Sequence, residues 1–285
     1  MSSKPPVIVR TVSALRAQVA AWRSVGERVA LIPTMGALHA GHLSLVDLGR
    51  ERAERAVASI FVNPTQFAPH EDFEAYPREE AKDVQRLADA KCDLLFAPSV
   101  EEMYAPGFST TVSVAGVSAP LDGQARPHHF AGVATIVAKL LIQCGPDIAV
   151  FGQKDYQQLQ VIRRLVRDLD LPVEIIGGPT VRAEDGLALS SRNAYLSAAE
   201  RVVAGKLNLI LATAVEQLRD GRAVEAVEAE GLAALTAAGF DSVDYLEVRD
   251  PDDLSRLGPG PLAGPGRILA AARIGRTRLI DNMAV

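Results

Sequence analysis

The chain has 285 residues, 48% of them hydrophobic and 23% charged, with a formal net charge of -5. This length allows one substantial core and a smaller second unit, so two domains are expected. The negative charge, without any block of lysines or arginines, argues against a nucleic-acid partner. No apolar run reaches the ~18 residues of a membrane-spanning helix, and no signal-peptide pattern opens the chain, so we predict a cytoplasmic protein with no membrane partner.

Strand-like and helix-like stretches alternate over the first 180 residues. The strand-like stretches are 7–9, 28–33, 56–63, 93–97, 147–152 and 173–176. The helical stretches are 12–23, 43–54, 79–91, 131–144 and 157–169. This alternation predicts an α/β fold, a Rossmann-like parallel sheet with helices on both faces. Ligands of such sheets bind beyond the carboxyl ends of the strands.

The pattern changes after about residue 181. Two helical stretches, 198–219 and 223–238, precede three strand-like ones, 242–248, 267–272 and 277–284. Helices followed by antiparallel strands indicate a smaller α+β domain. We therefore predict a Rossmann-like domain over residues 1–181 and a C-terminal α+β domain over residues 182–285.

Two histidines, His39 and His42, stand where the strand at 28–33 gives way to the helix at 43–54. A helix start offers unpaired N–H groups and the positive end of its dipole, and Gly36 and Gly41 let the backbone approach a ligand closely. The histidines add further donors. Two histidines at i and i+3 also fit a metal pair or a solvated helix end, so the pattern by itself leaves these readings open.

Two other loops carry positive charge on the ligand side of the predicted sheet. Lys154 follows Gly152 directly after the strand at 147–152, which favours phosphate binding. Asp155 fits either a contact with the ribose or adenine of a nucleotide or a cap for the helix that follows. Ser190, Ser191 and Arg192 form a basic, hydroxyl-rich loop suited to phosphate oxygens.

Neutral amides suggest the second kind of ligand. Asn63, Gln66 and Gln158 supply donors and acceptors without charge, as a small hydroxy acid requires. In the basic loop around His128, we place Arg126 and His129 at the site. Three acidic residues, Glu71, Asp72 and Asp83, either place a metal-bound water or are simply solvated.

Six segments, taken in order, resemble the pantothenate synthetase family. They are SIFVNPTQF (59–67), YPR (76–78), RPHHFAGV (126–133), FGQKDYQQ (151–158), DGLALSSRN (185–193) and RLIDN (278–282). The residues His39-Ala40-Gly41-His42 match the His-x-Gly-His signature of its nucleotidyltransferase and class I aminoacyl-tRNA synthetase superfamily. Gln153 stands where relatives carry glutamate.

This resemblance implies ATP-dependent condensation of pantoate with β-alanine through a pantoyl adenylate, releasing AMP and pyrophosphate. It also implies Mg²⁺ carried with ATP and not bound by a separate metal site, a homodimer, and a C-terminal domain that acts as a lid. The implied catalytic residues are His39, His42, Lys154 and Arg192. Those implied for ATP are Met35, Gly36, His39, Gly41, His42, Gly152, Lys154, Asp155, Val181, Leu189, Ser190, Ser191 and Arg192. Those implied for pantoate are Pro33, Met35, Gln66 and Gln158, and for β-alanine Asn63, Gln66, Arg126 and His129.

Three other functions compete with the ligase. A nucleotidyltransferase acting on a phosphorylated acceptor would leave the nucleotide on its product, whereas the ligase yields AMP and needs an amine for turnover. A silent nucleotide-binding regulator would have no need for donors aimed at a departing pyrophosphate. A tRNA synthetase would need room for an anticodon-binding domain and a basic surface.

Overall fold

The computed structural model describes residues 4–68 and 73–285, and within them no helix is both long and apolar enough to cross a membrane. The chain divides into two compact units. The N-terminal unit comprises Met1–Gln153 and Val161–Pro179, and the C-terminal unit comprises Lys154–Gln160 and Thr180–Val285. Residues 154–160 therefore group with the second unit, although the residues on both sides of them belong to the first.

A six-stranded parallel sheet organises the N-terminal unit, in the order β1-β4-β3-β2-β5-β6. Its strands are β1 (Val7–Val9), β2 (Val29–Thr34), β3 (Arg55–Ile60), β4 (Leu94–Phe96), β5 (Ile148–Gly152) and β6 (Glu174–Gly178). The helices are α1 (Val12–Arg23), α2 (Ala40–Arg50), α3 (Glu80–Asp89), α4 (Val100–Met103), α5 (Asp122–Ala125) and α6 (His129–Cys144). A further helix, α7 (Tyr156–Asp168), begins in residues grouped with the C-terminal unit and ends in the N-terminal unit. The predicted α/β class is confirmed.

Two predicted boundaries beside the site were wrong. Helix α2 begins at Ala40, three residues before the predicted start at 43, because the two histidines take part in its first turn. Strand β3 ends at Ile60 although the prediction extended it to 63. Beyond it, Asn63 accepts from the N–H of Thr65 and initiates a 3₁₀ turn, Pro64–Gln66, which breaks the extended conformation.

Helix α2 lies close against the sheet because small residues face it. A Cβ atom at Gly178 would lie 2.2 Å from Leu45 Cδ2, and one at Gly49 would lie 3.2 Å from Ala30 Cβ. Leu45 and the residues of β2 from Val29 to Ile32 are buried. The close packing therefore fixes where α2 begins relative to β2.

The C-terminal unit has two helices, α8 (Ala198–Arg219) and α9 (Val224–Ala238), and an antiparallel sheet. The sheet has the order β7-β8-β9, with strands β7 (Ser242–Arg249), β8 (Arg267–Ile274) and β9 (Thr277–Ala284). Ser197 and Glu200 form a capping box at the start of α8. The core is apolar and fully buried, with Leu211, Val227, Leu235, Val248 and Ile268 among its members. The predicted α+β architecture of this part is confirmed.

Candidate active site

The order of the strands in the sheet changes direction at β2: β3 and β4 are added on one side of it, and β5 and β6 on the other. Strand β1 lies beyond β4, and the change falls between β2 and β5. β2 pairs with β5 at Ala30 and Leu31, whereas its pairing with β3 continues to Thr34. In sheets of this kind, ligands bind in the crevice at the carboxyl ends of the two strands that flank such a point. The histidine segment follows β2, and Gly152 is the last residue of β5.

His39 and His42 together cap the start of α2. The backbone N–H of His42 donates to His39 O at 2.8 Å, and the backbone N–H of His39 donates to His42 Nδ1 at 3.3 Å. The ring centroids lie 4.0 Å apart. His42 thus occupies the place that Glu or Gln takes in an ordinary capping box.

This cap fixes the tautomer of His42. Because Nδ1 accepts a hydrogen bond, the proton of the neutral imidazole sits on Nε2. Both histidine side chains are half-buried. The helix start therefore presents an imidazole N–H donor beside backbone N–H groups at the positive end of the helix dipole, an arrangement suited to an anion.

The backbone between β2 and α2 is held by a buried carboxylate that the motif does not contain. Asp83 on α3 is 1% exposed, and its two oxygens accept from the N–H groups of Ala37 and Leu38, each at 2.8 Å. Gly36 and Ala37 have φ values of +84° and +50°. A Cβ at Gly36 would lie 3.2 Å from Asp83 Oδ2, so glycine serves both the left-handed turn and the close approach of this carboxylate.

Of the two interpretations offered for Asp83 from the sequence, the solvated one is wrong, and the placing of a metal-bound water stays a prediction. It is buried and not solvated, and both of its oxygens bond to the backbone, so its role is to hold the segment between β2 and α2. Burial raises the pKa of the Asp83 carboxyl, and the two N–H donors act in the opposite direction. Glu71 and Asp72 lie outside the described residues.

The four residues assigned to β-alanine come together in the N-terminal unit. The carbonyl oxygen of Gln66 accepts from His129 Nδ1 at 3.0 Å and from Arg126 Nη2 at 3.3 Å. The side chain of Gln66 accepts from Asn63 Nδ2 at 3.0 Å. Its own Nε2 donates to Met35 Sδ at 3.2 Å, which links the cluster to the segment that follows β2. Pro33, assigned with Met35 to pantoate, lies half-buried in β2.

Two supports of this cluster escaped the sequence analysis. The Tyr104 hydroxyl donates to Asn63 Oδ1 at 2.7 Å, and burial raises the pKa of this phenol, which keeps it a donor. Gly132 on α6 lies against the 3₁₀ turn: a Cβ there would be 2.4 Å from Thr65 O and 2.8 Å from Gln66 Cα. A glycine early in a predicted helix signals such a close approach, whereas nothing local marks Tyr104.

Gly41 and Gly152 belong to the N-terminal unit, and the remaining predicted residues, from Lys154 onward, belong to the C-terminal unit. Lys154 and Asp155 end a 3₁₀ turn after β5, with Lys154 Nζ 3.5 Å from Asp155 Oδ1. Gln158 follows in the first part of α7, half-buried. Leu189 N donates to Val181 O at 2.9 Å and closes a turn that leads into Ser190. Ser191 and Arg192 then form part of a second 3₁₀ turn, and Ser190 Oγ accepts from the N–H of Arg192.

The sequence matches the family model described as pantoate-beta-alanine ligase over residues 7–284. The chain belongs to this family. A pantothenate synthetase from Caulobacter vibrioides is 64% identical over 281 residues, covering 98% of this chain and 99% of the relative. One from Paramagnetospirillum magneticum is 60% identical over 279 residues, covering 98% and 97%. The resemblance inferred from the ordered motifs is thus confirmed.

Solved structures of the same family share the fold. A pantothenate synthetase from Thermus thermophilus superposes with a TM-score of 0.91 at 48% identity, covering 97% of this chain and 98% of that one. A pantoate-beta-alanine ligase from Francisella tularensis, complexed with beta-gamma ATP and beta-alanine, gives a TM-score of 0.82 at 32% identity, covering 98% and 97%. The fold therefore extends over nearly the whole length of both relatives.

Proposed function

We propose that this chain catalyses the ATP-dependent condensation of pantoate with β-alanine, releasing AMP and pyrophosphate. The observation that carries the proposal is the family match over residues 7–284. ATP and β-alanine are also the two ligands named for the Francisella tularensis relative. The geometry supports this proposal, because a helix start suited to an anion and an amide cluster both follow strands of one parallel sheet.

In the first step, a carboxylate oxygen of pantoate attacks the α-phosphorus of ATP. The bond from that phosphorus to the oxygen bridging it to the β-phosphate breaks, and pyrophosphate leaves with the bonding electrons. We assign the helix start at His39 and His42 to the β- and γ-phosphates, with Ser190, Ser191 and Arg192. Lys154 neutralises charge on the α-phosphate as it becomes pentacovalent. The neighbouring ATP residues are Met35, Gly36, Gly41, Gly152, Asp155, Val181 and Leu189.

Gln66 is well suited to exchange its present partner for a substrate. Its Nε2 donates to the thioether sulfur of Met35, which is a weak acceptor. A pantoate hydroxyl or carboxylate oxygen is a stronger one, so binding replaces a poor hydrogen bond with a good one. We propose that Gln66 and Gln158 hold the polar groups of pantoate and that Pro33 and Met35 contact its methyl groups.

In the second step, the β-alanine amine attacks the acyl carbonyl of pantoyl adenylate. The acyl–oxygen bond to AMP breaks, AMP leaves, and the amine loses a proton as the amide forms. We assign β-alanine to Asn63, Gln66, Arg126 and His129, of which Arg126 supplies a positive charge for the amino-acid carboxylate. His129 and Arg126 already share the carbonyl of Gln66, so acceptor and amine sites are built on one short segment.

We further propose that Mg²⁺ enters on the phosphates of ATP. Within residues 4–68 and 73–285, no three His, Cys, Asp or Glu side chains are grouped closely enough to hold a metal by themselves. Both oxygens of Asp83 already accept backbone N–H groups, so this carboxylate is poorly suited to an inner-sphere ligand. Phosphate oxygens and water meet the octahedral preference of the ion with few protein ligands.

A homodimer and a cytoplasmic location complete the proposal. The homodimer follows from the family resemblance, and light scattering of the purified protein tests it. We place the protein in the cytoplasm because its substrate ATP is supplied there, and fractionation of cells tests this location. The lid role of residues 182–285 stays a prediction.

The decisive experiment mixes the purified protein with ATP, Mg²⁺, pantoate and β-alanine and omits each in turn. AMP should accumulate in catalytic amounts only in the complete mixture, and exchange of labelled pyrophosphate into ATP should require pantoate but not β-alanine. Continuous AMP formation without an amine, or formation of ADP, would contradict the ligase. A product that retains the nucleotide would support a nucleotidyltransferase instead.

A further inference from the structure

The last strand contains two adjacent buried polar residues, Asp281 and Asn282, which are 3% and 5% exposed. Successive residues of a strand point to opposite faces of the sheet, so the two side chains reach different surroundings. Buried polar groups of this kind require partners. In both cases the partner lies in a segment that the proposed function assigns to ATP.

Asn282 holds the backbone of Lys154. Its Nδ2 donates to Lys154 O at 2.9 Å, and its Oδ1 accepts from Arg267 Nη1, which fixes the orientation of the amide. The guanidinium of Arg267 in turn lies 3.7 Å from the ring centroid of Tyr156. The position of Lys154 therefore depends on strand β9 through a short, oriented chain of contacts.

Asp281 holds the turn that precedes the Ser-Ser-Arg segment. Its two oxygens pair with Arg182 Nη1 and Nη2 at 2.6 and 2.9 Å, a bidentate ion pair. Arg182 Nη1 also donates to Gly186 O at 3.1 Å, within the turn closed by Leu189 and Val181. Asn193 Nδ2 donates to Ala188 O at 3.0 Å, which extends the order to the residue after Arg192.

Together these contacts connect two separate phosphate-binding segments to neighbouring positions of one strand. We propose that Asp281 and Asn282 are positioning residues for adenylate formation, which set the spacing between Lys154 and the segment of Ser190, Ser191 and Arg192. The inference rests on the proposed function. In-line attack demands accurate placement of groups on the α-phosphate and on the leaving pyrophosphate, and displacements of about 1 Å can cost on the order of 10²-fold in rate. A shared strand supplies that accuracy.

The test compares Asp281→Asn and Asn282→Asp with a matched control, Asp244→Asn. Asp281→Asn preserves shape but removes the charge that pairs with Arg182. Asn282→Asp keeps an acceptor for Arg267 and replaces the donor to Lys154 O with a carboxylate oxygen. Asp244 on β7 pairs with Arg278 of β9 at 2.6 Å, so its substitution breaks an ion pair made by β9 away from both segments.

Each variant is measured by pantoate-dependent exchange of pyrophosphate into ATP, by calorimetric titration with ATP, and by thermal unfolding. We expect kcat for exchange to fall roughly 10- to 10²-fold in Asp281→Asn and Asn282→Asp, with KM for pantoate unchanged. ATP affinity should fall most in Asp281→Asn. Asp244→Asn should stay within about twofold of the wild type in every kinetic constant, since the part-buried ion pair that it weakens includes no residue of either segment.

If the exchange rate falls only in proportion to the fraction of folded protein in all three variants, the inference is overturned. Asp281 and Asn282 would then contribute to stability alone. Unchanged exchange in Asp281→Asn and Asn282→Asp would overturn it equally. The wild type separates this failure from that of the proposed function, because a wild-type protein without pantoate-dependent exchange would contradict the ligase itself.

Discussion

The segment between β2 and α2 and the segments around Lys154 and Ser190 are both irregular backbone with a proposed phosphate-binding role, yet they are supported differently. In the N-terminal unit, Asp83 accepts directly from the N–H groups of Ala37 and Leu38. In the C-terminal unit, Asp281 acts through the side chain of Arg182. Asp83 thus holds its backbone segment directly, whereas Asp281 holds its segment through a flexible arginine side chain.

This difference has a physical consequence. Losing Asp83 would leave two backbone donors of the held segment unsatisfied. Losing Asp281 would leave the N–H of Asn282 and the guanidinium of Arg182 without their acceptor, while the turn beside Arg182 keeps its own hydrogen bonds. The first loss should therefore show in both stability and ATP binding, and the second mainly in the geometry of adenylation. What the two supports share is that each comes from an element distant in sequence from the residues it holds.

The largest effect is expected when one side chain with a proposed phosphate-binding role is removed from each side of the comparison. Losing a preorganised donor to developing charge should lower kcat roughly 10²- to 10³-fold, so His42→Ala and Lys154→Ala should both slow pyrophosphate exchange by that factor. The matched controls are His128→Ala and Lys206→Ala, two exposed side chains of the same types. Near-normal turnover in either test variant would remove that residue from the mechanism.

The next effect tests the support in the N-terminal unit. Asp83→Ala leaves the N–H groups of Ala37 and Leu38 without their acceptor, which should lower the free energy of unfolding by about 1 to 3 kcal/mol for each unsatisfied donor. Urea unfolding measures this loss, and KM for ATP should rise with it. The control is Asp89→Ala on the exposed face of the same helix, expected within about 0.5 kcal/mol of the wild type. Equal losses in both would show that Asp83 is not a specific anchor.

A smaller, more selective effect should come from Gly132→Ala. The new methyl group must displace Thr65 and Gln66, at a cost of about 1 to 3 kcal/mol as in other overpacked sites. Because Gln66 is assigned to pantoate and β-alanine, their KM values should rise while ATP affinity stays nearly constant. Gly264→Ala, which would meet no atom within 4 Å, serves as the control. A selective loss of ATP affinity would instead connect the turn to the nucleotide.

The smallest effect is a pH dependence of stability. Burial raises the pKa of Asp83, so between its ordinary and its raised value the folded state keeps a proton that the unfolded chain has released. The contribution of Asp83 to stability is therefore lost as the pH rises through that window. The free energy of unfolding of the wild type, measured against that of Asp83→Asn, should fall over the same range. Parallel curves would show that the carboxyl titrates alike in both states.

Local signals predicted much of the fold. Helix α1 has the predicted bounds, Val12–Arg23, and Thr11 caps it by accepting from Ala14 N, because caps and apolar periodicity involve only neighbouring residues. The early start of α2 was missed because histidines replace the usual capping residues. The short helices α4 and α5 have too little periodicity to be predicted.

The candidate site was predictable where its residues form motifs, and less so where they support them. Asn63, Gln66, Arg126 and His129 lie together in the N-terminal unit, and their role in binding β-alanine stays a prediction. Asp83 gave only a partial signal: it lies one turn before buried Leu87 on α3, and an acidic residue in an apolar stripe suggests a buried partner. The identity of that partner depends on tertiary packing. The same holds for Tyr104 and for the pairing of Asp281 with Arg182.

The short pairing between β2 and β5 also bears on how the sheet moves. Two residue pairs join these strands, whereas six join β2 to β3 and five join β5 to β6. The sheet should open most readily between β2 and β5, since fewer backbone hydrogen bonds must break there. A nucleotide bound across the carboxyl ends of both strands would hold β2 and β5 together. Deuterium uptake by the peptides that contain β2 and β5 should therefore slow when ATP binds, and uptake at β4 should change little.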